Sequence, residues 1–165
     1  MAWVAAHATT DPVSVLDIGG RDVTGPWGGS PRPLFPNATA YRVLDIADGP
    51  DVDVVADAAT WVPDREYDIA LCVELFEHTD SWPAICATAF AALAPGGTFI
   101  ATMAGPGRPP HGARGASGLE LGEHYANIRP ERLAAVLNRV GFADVTVDVQ
   151  PSPADVRAVA TRPKT

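Results

Sequence analysis

Short runs of β-branched and other apolar residues recur along the chain, and each run ends near Gly, Pro or Asp. This pattern is typical of β-strands. The unbroken apolar run from Ile69 to Val73 suits a central parallel strand that is covered on both faces. Seven strands are predicted, at residues 13–18, 40–45, 52–56, 67–73, 98–103, 144–149 and 156–161.

Two segments between the strands show helical spacing instead. In the first, apolar residues recur three and four positions apart, at Trp82, Ile85, Cys86, Ala89, Phe90 and Leu93. Asp80 or Ser81 can cap its start, and Gly96-Gly97 is predicted to end it. In the second, Pro130 stands near the start and Gly141 just past the end, as helix termini prefer. Its apolar stripe comprises Leu133, Val136, Leu137 and Val140.

The alternation of strands and helices predicts an α/β domain with a mainly parallel sheet. Two stretches depart from this alternation. Residues 19–39 contain four prolines and no helical stripe, and residues 104–128 are rich in Gly, Pro, His and Arg. A long ordered loop in a compact domain is typically a lid or a binding loop, so both stretches are candidates for ligand contact.

Composition and charge narrow the function. The 165 residues, 47% hydrophobic and 19% charged, predict a single globular domain over residues 1–165. The net charge of −8 disfavours a nucleic-acid partner, because such partners need a basic face. No apolar run reaches 18 residues, and residues 1–11 lack a signal-peptide pattern, so no membrane contact is expected. Cys72 and Cys86 lie in apolar segments and form no metal-binding pair, which favours a cytoplasmic location.

Acidic residues follow four predicted strands in succession. In a parallel sheet, ligands bind beyond the carboxyl ends of the strands, so these side chains are expected to meet at one edge. The candidates are Asp17, Gly19 and Gly20 after the first strand, Asp45 at the end of the second, Asp57 after the third, and Glu74, Glu77 and His78 after the fourth.

Each type of residue in this row has a physical use. The glycines let a ligand approach the backbone closely. Asp45 can accept hydrogen bonds from a ribose diol, and Asp57 can accept them from an exocyclic amine such as that of adenine. A dinucleotide would need a helix N-terminus for its pyrophosphate, and no helix starts promptly after Gly20. The positively charged S-adenosylmethionine (SAM) therefore suits this acidic row better than NAD does.

Five segments in a fixed order resemble those of class I SAM-dependent methyltransferases, over roughly residues 13–161. The family's glycine motif is similar to Val15-Leu-Asp-Ile-Gly-Gly20, and its "L-x-P-G-G" motif is similar to Leu93-Ala-Pro-Gly-Gly97. The other three are Asp45-Ile46, Asp57-Ala58 and the stretch from Tyr67 to His78. The resemblance implies a Rossmann-like three-layer sandwich with a seven-stranded sheet, here with shortened helices.

The resemblance also implies a role for each matching residue. Gly19 and Gly20 would line the methionine part of SAM, and Asp17 would orient that turn. Asp45 would bind the ribose hydroxyls, Ile46 would pack on the adenine face, and Asp57 with Ala58 would meet the adenine amine. Glu74 and Leu75 would lie beside the methionine. The sequence departs from the family at Arg21, where a second glycine is usual, and in the proline-rich segment that replaces a helix.

The resemblance places the loop after the fifth strand on the methyl-acceptor side. His111 and His124 in this loop, and His78 after the fourth strand, are candidate general bases for a hydroxyl acceptor. A metal site built from these three with Glu77 lacks the close ligand spacing of known motifs, so no metal is predicted. Trp27 is a candidate wall of the pocket.

The resulting expectation is methyl transfer from SAM to an oxygen or nitrogen of a small molecule. The signatures "Asp-Pro-Pro-Tyr" and "Pro-Cys" of base-methylating enzymes are absent, which agrees with the acidic charge. Three alternatives stay open at this point: a SAM-binding pseudoenzyme or regulatory subunit, a nucleotide-binding oxidoreductase, and a pure interaction module. A homo-oligomer is also open, because the short N-terminal segment could leave apolar surface near the cofactor loop.

Overall fold

A computed structural model describes residues 1–23, 29–113 and 118–164, and shows one seven-stranded sheet. The strands are β1 Ser14–Ile18, β2 Ala40–Asp45, β3 Val54–Val55, β4 Tyr67–Val73, β5 Leu93–Ala104, β6 Ala143–Gln150 and β7 Asp155–Thr161. The helices are α1 Ala2–His7, α2 Trp82–Ala92 and α3 Pro130–Val140, and 3-10 turns form at Arg32–Leu34 and Phe76–His78.

The strand order is β3-β2-β1-β4-β5-β7-β6. Strands β1 to β5 are mutually parallel, and β7 is antiparallel to both β5 and β6. The predicted α/β class and mainly parallel sheet are confirmed. From β1 the chain adds β2 and β3 on one side, and it then adds β4 and β5 on the other side of β1. At this reversal, between β1 and β4, a crevice forms at the carboxyl ends of the two strands, where a ligand can bind.

The sheet is covered on both faces, as the uninterrupted apolar run of β4 predicted. Side chains alternate along the strands: Leu16 and Ala70 face a core with α2 and α3, whereas Val15 and Leu71 face a core with α1. All four are fully buried. Cys72 and Cys86 are free and buried in the larger core, as expected for apolar cysteines.

Two boundaries differ from the sequence prediction. Helix α2 ends at Ala92, not at Gly96-Gly97, and Leu93 already pairs with Tyr67 of β4. Pro95 explains the early end, because a proline disfavours helical backbone at the residue before it and donates no hydrogen bond of its own. The predicted third strand is reduced to two residues, Val54–Val55.

Helix α1 has no counterpart in the sequence prediction. It is six residues long and its central Val4 is fully buried against the sheet. Trp3 donates a hydrogen bond from Nε1 to the carbonyl of Ala158 on β7, at 3.2 Å. Tertiary contacts therefore hold this helix, which is too short to be stable alone. Within the ranges described above, no helix is long and apolar enough to cross a membrane.

Candidate functional site

A cavity of about 570 Å³ opens at the carboxyl ends of β1, β2 and β4. Its volume is within the range of small-molecule sites. The structure brings ten of the sequence-predicted site residues to its wall: Asp17, Gly19, Gly20, Asp45, Ile46, Asp57, Ala58, Glu74, Leu75 and His78. Their convergence follows from the parallel sheet, since each residue lies at or just beyond the end of its strand.

The turn after β1 is packed around the carboxyl group of Asp17. This side chain is fully buried, and Tyr41 donates its hydroxyl to Oδ2 at 2.7 Å. Among the described residues, Oδ1 has no hydrogen-bond partner. A Cβ atom added at Gly20 would lie 2.4 Å from Cγ of Asp17, and one at Gly19 would lie 2.8 Å from the Leu75 side chain. Only glycine fits at either position, which brings the backbone close to the cavity.

The buried Asp17 predicts a pH-dependent stability. Burial raises its pKa from 3.8 to about 6, with smaller contributions from Asp45 and Asp51, while Tyr41 and Arg32 act in the opposite direction. The folded protein thus holds this proton more tightly than the unfolded chain does. The free energy of unfolding should therefore fall by at most about 3 kcal/mol as the pH rises from about 4 to about 6.

The measurement compares urea unfolding of the wild type and Asp17→Asn across this pH window. Asn keeps the shape of the carboxyl group but does not titrate, so the stability of the variant relative to the wild type should rise with pH. Parallel stability curves for the two proteins would contradict the assignment of this pKa to Asp17.

The carboxylate of Asp45 is held by the turn after β1. Nε of Arg21 lies 3.4 Å from Oδ1, and the Arg21 backbone N–H donates to Oδ2 at 3.3 Å. The backbone N–H of Ala47 also donates to Oδ1, at 2.9 Å. The residue that departs from the family's glycine motif therefore contacts the predicted ribose-binding carboxylate directly.

An apolar and acidic edge lies beyond β2 and β3. Ile46 is 73% exposed although it lines the cavity, so it offers an apolar surface to a flat ring. Asp57 is exposed and accepts a hydrogen bond from the Ala59 backbone at 2.9 Å through Oδ1. Asp57 and Ala58 both line the cavity.

Glu74 has a left-handed backbone, with φ at +54°. Such a conformation is strained in a residue other than glycine and often occurs at functional sites. Thr102 donates its hydroxyl to Oε1 at 2.9 Å, and Arg108 donates to Oε2. Arg108 also donates to Oδ1 of Asp155 at 2.7 Å, so it joins the end of β4 to the start of β7.

The candidate histidines separate into two groups. His78 and His111 lie together, with ring centroids 5.0 Å apart, and Tyr125 contacts both rings. Burial, and then the proximity of His111, lowers the pKa of His78 to about 4. His124 is exposed and belongs neither to this cluster nor to the cavity wall. Trp27, the predicted pocket wall, is outside the described residues.

Glu77 is a buried acid beside these histidines. It has no exposed surface, and its Oε1 accepts a hydrogen bond from the Ala104 backbone at 3.0 Å. Burial, and then the carboxylate of Glu74, raises the pKa of Glu77. Oε1 of Glu77 lies 4.0 Å from Nε2 of His111.

Sequence reasoning missed several residues at this site. Tyr41, Thr102 and Arg108 bond the acidic residues, yet none belongs to a motif. Arg108 could have been suspected, because it is a basic residue in the loop of residues 104–128, which faces a row of acids. The other two carry no comparable signal, since a Tyr or Thr in a strand is ordinary.

A family model described as a methyltransferase domain matches residues 4–147. The chain belongs to the class I SAM-dependent methyltransferase family. No curated protein matches it in sequence. Membership explains the strand order and the cavity at the β1–β4 crossover, and SAM is the cofactor of this family.

Solved structures share the fold of this methyltransferase-family chain at low sequence identity. The 1,6-didemethyltoxoflavin-N1-methyltransferase of Burkholderia thailandensis, with bound 1,6-didemethyltoxoflavin and S-adenosylhomocysteine, is 18% identical with a TM-score of 0.69, over 98% of this chain and 76% of that one. A SAM-dependent methyltransferase from Mesorhizobium loti is 16% identical with a TM-score of 0.67, over 96% and 95%. The [4+2]-cyclase SpnF is 16% identical with a TM-score of 0.71, over 98% and 80%.

Proposed function

We propose that this chain binds SAM in the cavity and transfers its methyl group to an oxygen or nitrogen atom of a small molecule. The observation that carries the proposal is the order of groups along the cavity: a glycine turn, a ribose-type carboxylate, an exposed apolar residue and a second carboxylate. Each matches one part of SAM. The acidic wall also suits the positive sulfonium and ammonium groups of this cofactor.

The turn after β1 would hold the methionine part, because Gly19 and Gly20 leave the backbone accessible. Asp45 would accept hydrogen bonds from the ribose, and Ile46 would cover the adenine ring with Asp57 at its amine. SAM supplies the electrophilic methyl group. The protein contributes mainly by holding the acceptor in line with that group, which can supply a large part of the rate enhancement.

The acceptor would enter from the side of His78, which lines the cavity next to His111. We propose His111 as the base for a hydroxyl acceptor, and His78 as a neutral contact, since its pKa of about 4 keeps it uncharged at pH 7. His124 is exposed outside the cavity wall and has no role in this proposal. The volume of the cavity and the acidic charge of the chain favour a small molecule over a nucleic acid.

A second candidate function is binding of SAM without methyl transfer. The neighbour SpnF is a [4+2]-cyclase on the same fold, so this architecture also hosts other reactions. A SAM-binding pseudoenzyme or regulatory subunit would use the same cofactor residues and would lack turnover.

The experiment combines calorimetry with a transfer assay. SAM and S-adenosylhomocysteine are titrated into the protein, with NAD(P) as the control ligand, and methyl-labelled SAM is then incubated with pools of hydroxyl- and amine-bearing small molecules. Binding of SAM together with label transfer supports the proposal. Binding without transfer to any pool favours the second candidate. Heat from NAD(P) but none from SAM would overturn both.

The ion pair between Arg21 and Asp45 gives a further prediction. Because the Arg21 guanidinium competes with the ribose for the Asp45 carboxylate, Arg21→Ala should tighten SAM binding by up to about fivefold, the value of a partly exposed pair near 1 kcal/mol. The control is Arg42→Ala. Arg42 lies on β2, as Asp45 does, but its ion pair with Asp64 is away from the cavity. Weaker SAM binding in Arg21→Ala would instead mean that Arg21 contacts the cofactor.

A further inference from the structure

Three potential metal ligands meet beside the cavity. Glu77 and His78 come from the 3-10 turn after β4, and His111 comes from the loop after β5. One ligand atom from each lies within 4.8 Å of the other two. We propose that Glu77, His78 and His111 bind a divalent transition-metal ion, with Zn²⁺ as the best fit. This site goes beyond the proposed methyl transfer. While zinc is bound, the lone pair of Nε2 of His111 is coordinated, so His111 can act as a base only when the metal site is empty.

Two polar atoms of this cluster are buried without a partner. Among the described residues, neither Oε2 of Glu77 nor Nδ1 of His78 has a hydrogen bond, and both atoms are inaccessible. An unpaired polar atom in the interior is costly, and a buried carboxylate more so. A cation bound between the acid and the two imidazoles would offset this cost, because it would supply a positive partner for the buried Glu77 carboxylate.

The surrounding bonds orient the ligands as a metal site requires. Nδ1 of His111 lies 3.3 Å from the carbonyl of Pro109. If Nδ1 donates its proton there, the lone pair of Nε2 is free, and Nε2 is the atom 4.0 Å from Oε1 of Glu77. Metal-binding histidines commonly donate their other N–H to such an acceptor. Oε1 of Glu77 is in turn fixed by the Ala104 backbone.

The loop that carries His111 is anchored just before the histidine. Tyr125 donates its hydroxyl to the carbonyl of Pro109 at 3.1 Å, and Asn127 donates its amide to the carbonyl of Arg108 at 3.1 Å. The positive charge of Arg108, which would oppose a cation, is offset by its bonds to Glu74 and Asp155.

Two imidazoles and one carboxylate select the type of ion. Zn²⁺ binds such sets with an open fourth position, whereas Mg²⁺ and Ca²⁺ prefer oxygen ligands only. Ligand atoms of a tetrahedral zinc site lie about 3.4 Å apart. The cluster would have to contract by up to about 1.4 Å, which the partly exposed His111 side chain can provide by a movement toward Glu77 and His78. Because His78 lines the cavity, the ion would be placed to bind an oxygen or nitrogen atom of a ligand there.

The first test measures zinc binding by tag-free protein, because a polyhistidine tag would bind zinc itself. We expect about one Zn²⁺ per chain by calorimetry and by elemental analysis after dialysis, and little or no binding of Mg²⁺. His111→Ala should weaken zinc binding by about tenfold or more. His124→Ala is the matched control: it removes an exposed histidine of the same loop and should leave zinc binding unchanged.

A second variant tests the buried ligand. Glu77→Gln keeps the shape of the side chain and an oxygen for the Ala104 N–H, but removes the negative charge. We expect zinc binding to fall at least as far as in His111→Ala, while circular dichroism shows an intact fold. X-ray absorption should show a first shell of nitrogen and oxygen without sulfur. Absence of zinc binding in the wild type, an equal loss in His124→Ala, or a preference for Mg²⁺ would each overturn the proposal.

Discussion

Asp45→Ala is expected to weaken SAM binding by about 1.5–3 kcal/mol, or about 10- to 150-fold in Kd. The carboxylate lines the cavity and is mostly buried, with 12% of the side chain exposed. Its loss would remove charge-assisted hydrogen bonds to the ribose hydroxyls. Calorimetry with SAM and with its demethylated product measures the change.

Asp48→Ala is the matched control for this variant. Asp48 is an exposed acid in the loop that follows β2, and its Oδ1 accepts only the next backbone N–H among the contacts described for it. Both variants remove one negative charge, so a general electrostatic effect would weaken binding equally in the two. Unchanged affinity in Asp45→Ala, or an equal loss in Asp48→Ala, would contradict the ribose assignment.

Gly20→Ala is expected to destabilise the fold by about 1–3 kcal/mol and to abolish tight SAM binding. The added methyl group would lie 2.4 Å from Cγ of Asp17. Asp17 is fully buried and bonded to Tyr41, so a movement of its side chain would break this hydrogen bond. Otherwise the turn itself must shift, and with it the backbone that would face the methionine. Urea unfolding and SAM titration measure the two effects.

The comparison variant for this substitution is Gly118→Ala, because a Cβ there meets no described atom within 4 Å. It should leave both stability and binding unchanged. The double variant Asp17→Ala with Gly20→Ala gives a sharper check. Removing the carboxyl group opens the space that the new methyl group needs, so the second substitution should cost much less in this background. Additive costs would show that the clash with Asp17 is not the cause.

The elements that were predictable from the sequence are those whose pattern is local. The apolar run of β4 and the stripe of α3 depend on spacing within a few residues, so the sequence predicted them well. Helix α1 has no such pattern: it forms because Val4 and Trp3 find partners on distant strands. The sequence places the end of α2 too late, because Gly96-Gly97 is typical of a helix end, whereas Pro95 ends the helix earlier, at Ala92.

The candidate site also combines features that follow from local pattern with features that depend on distant contacts. Residues at strand ends, such as Asp17 and Asp45, were expected to lie together because parallel strands end at one edge of the sheet. The contact between His78 and His111 depends instead on the path of a long loop, which no spacing rule describes. The Arg21–Asp45 ion pair was not predictable either, because it depends on the turn after β1 bringing Arg21 to the end of β2.

The two layers that cover the sheet are unequal. Within the described ranges, α2 and α3 cover one face, whereas α1 is the helix that covers the other. Helix α1 is held by the buried Val4 and by Trp3, which packs on the sheet, donates to the Ala158 carbonyl and lies under the Arg157 guanidinium. This short helix should therefore detach at a lower free energy than the whole domain. Amide protons of α1 should then exchange with solvent sooner than those of β4, and a protease should first cut the loop that joins α1 to β1.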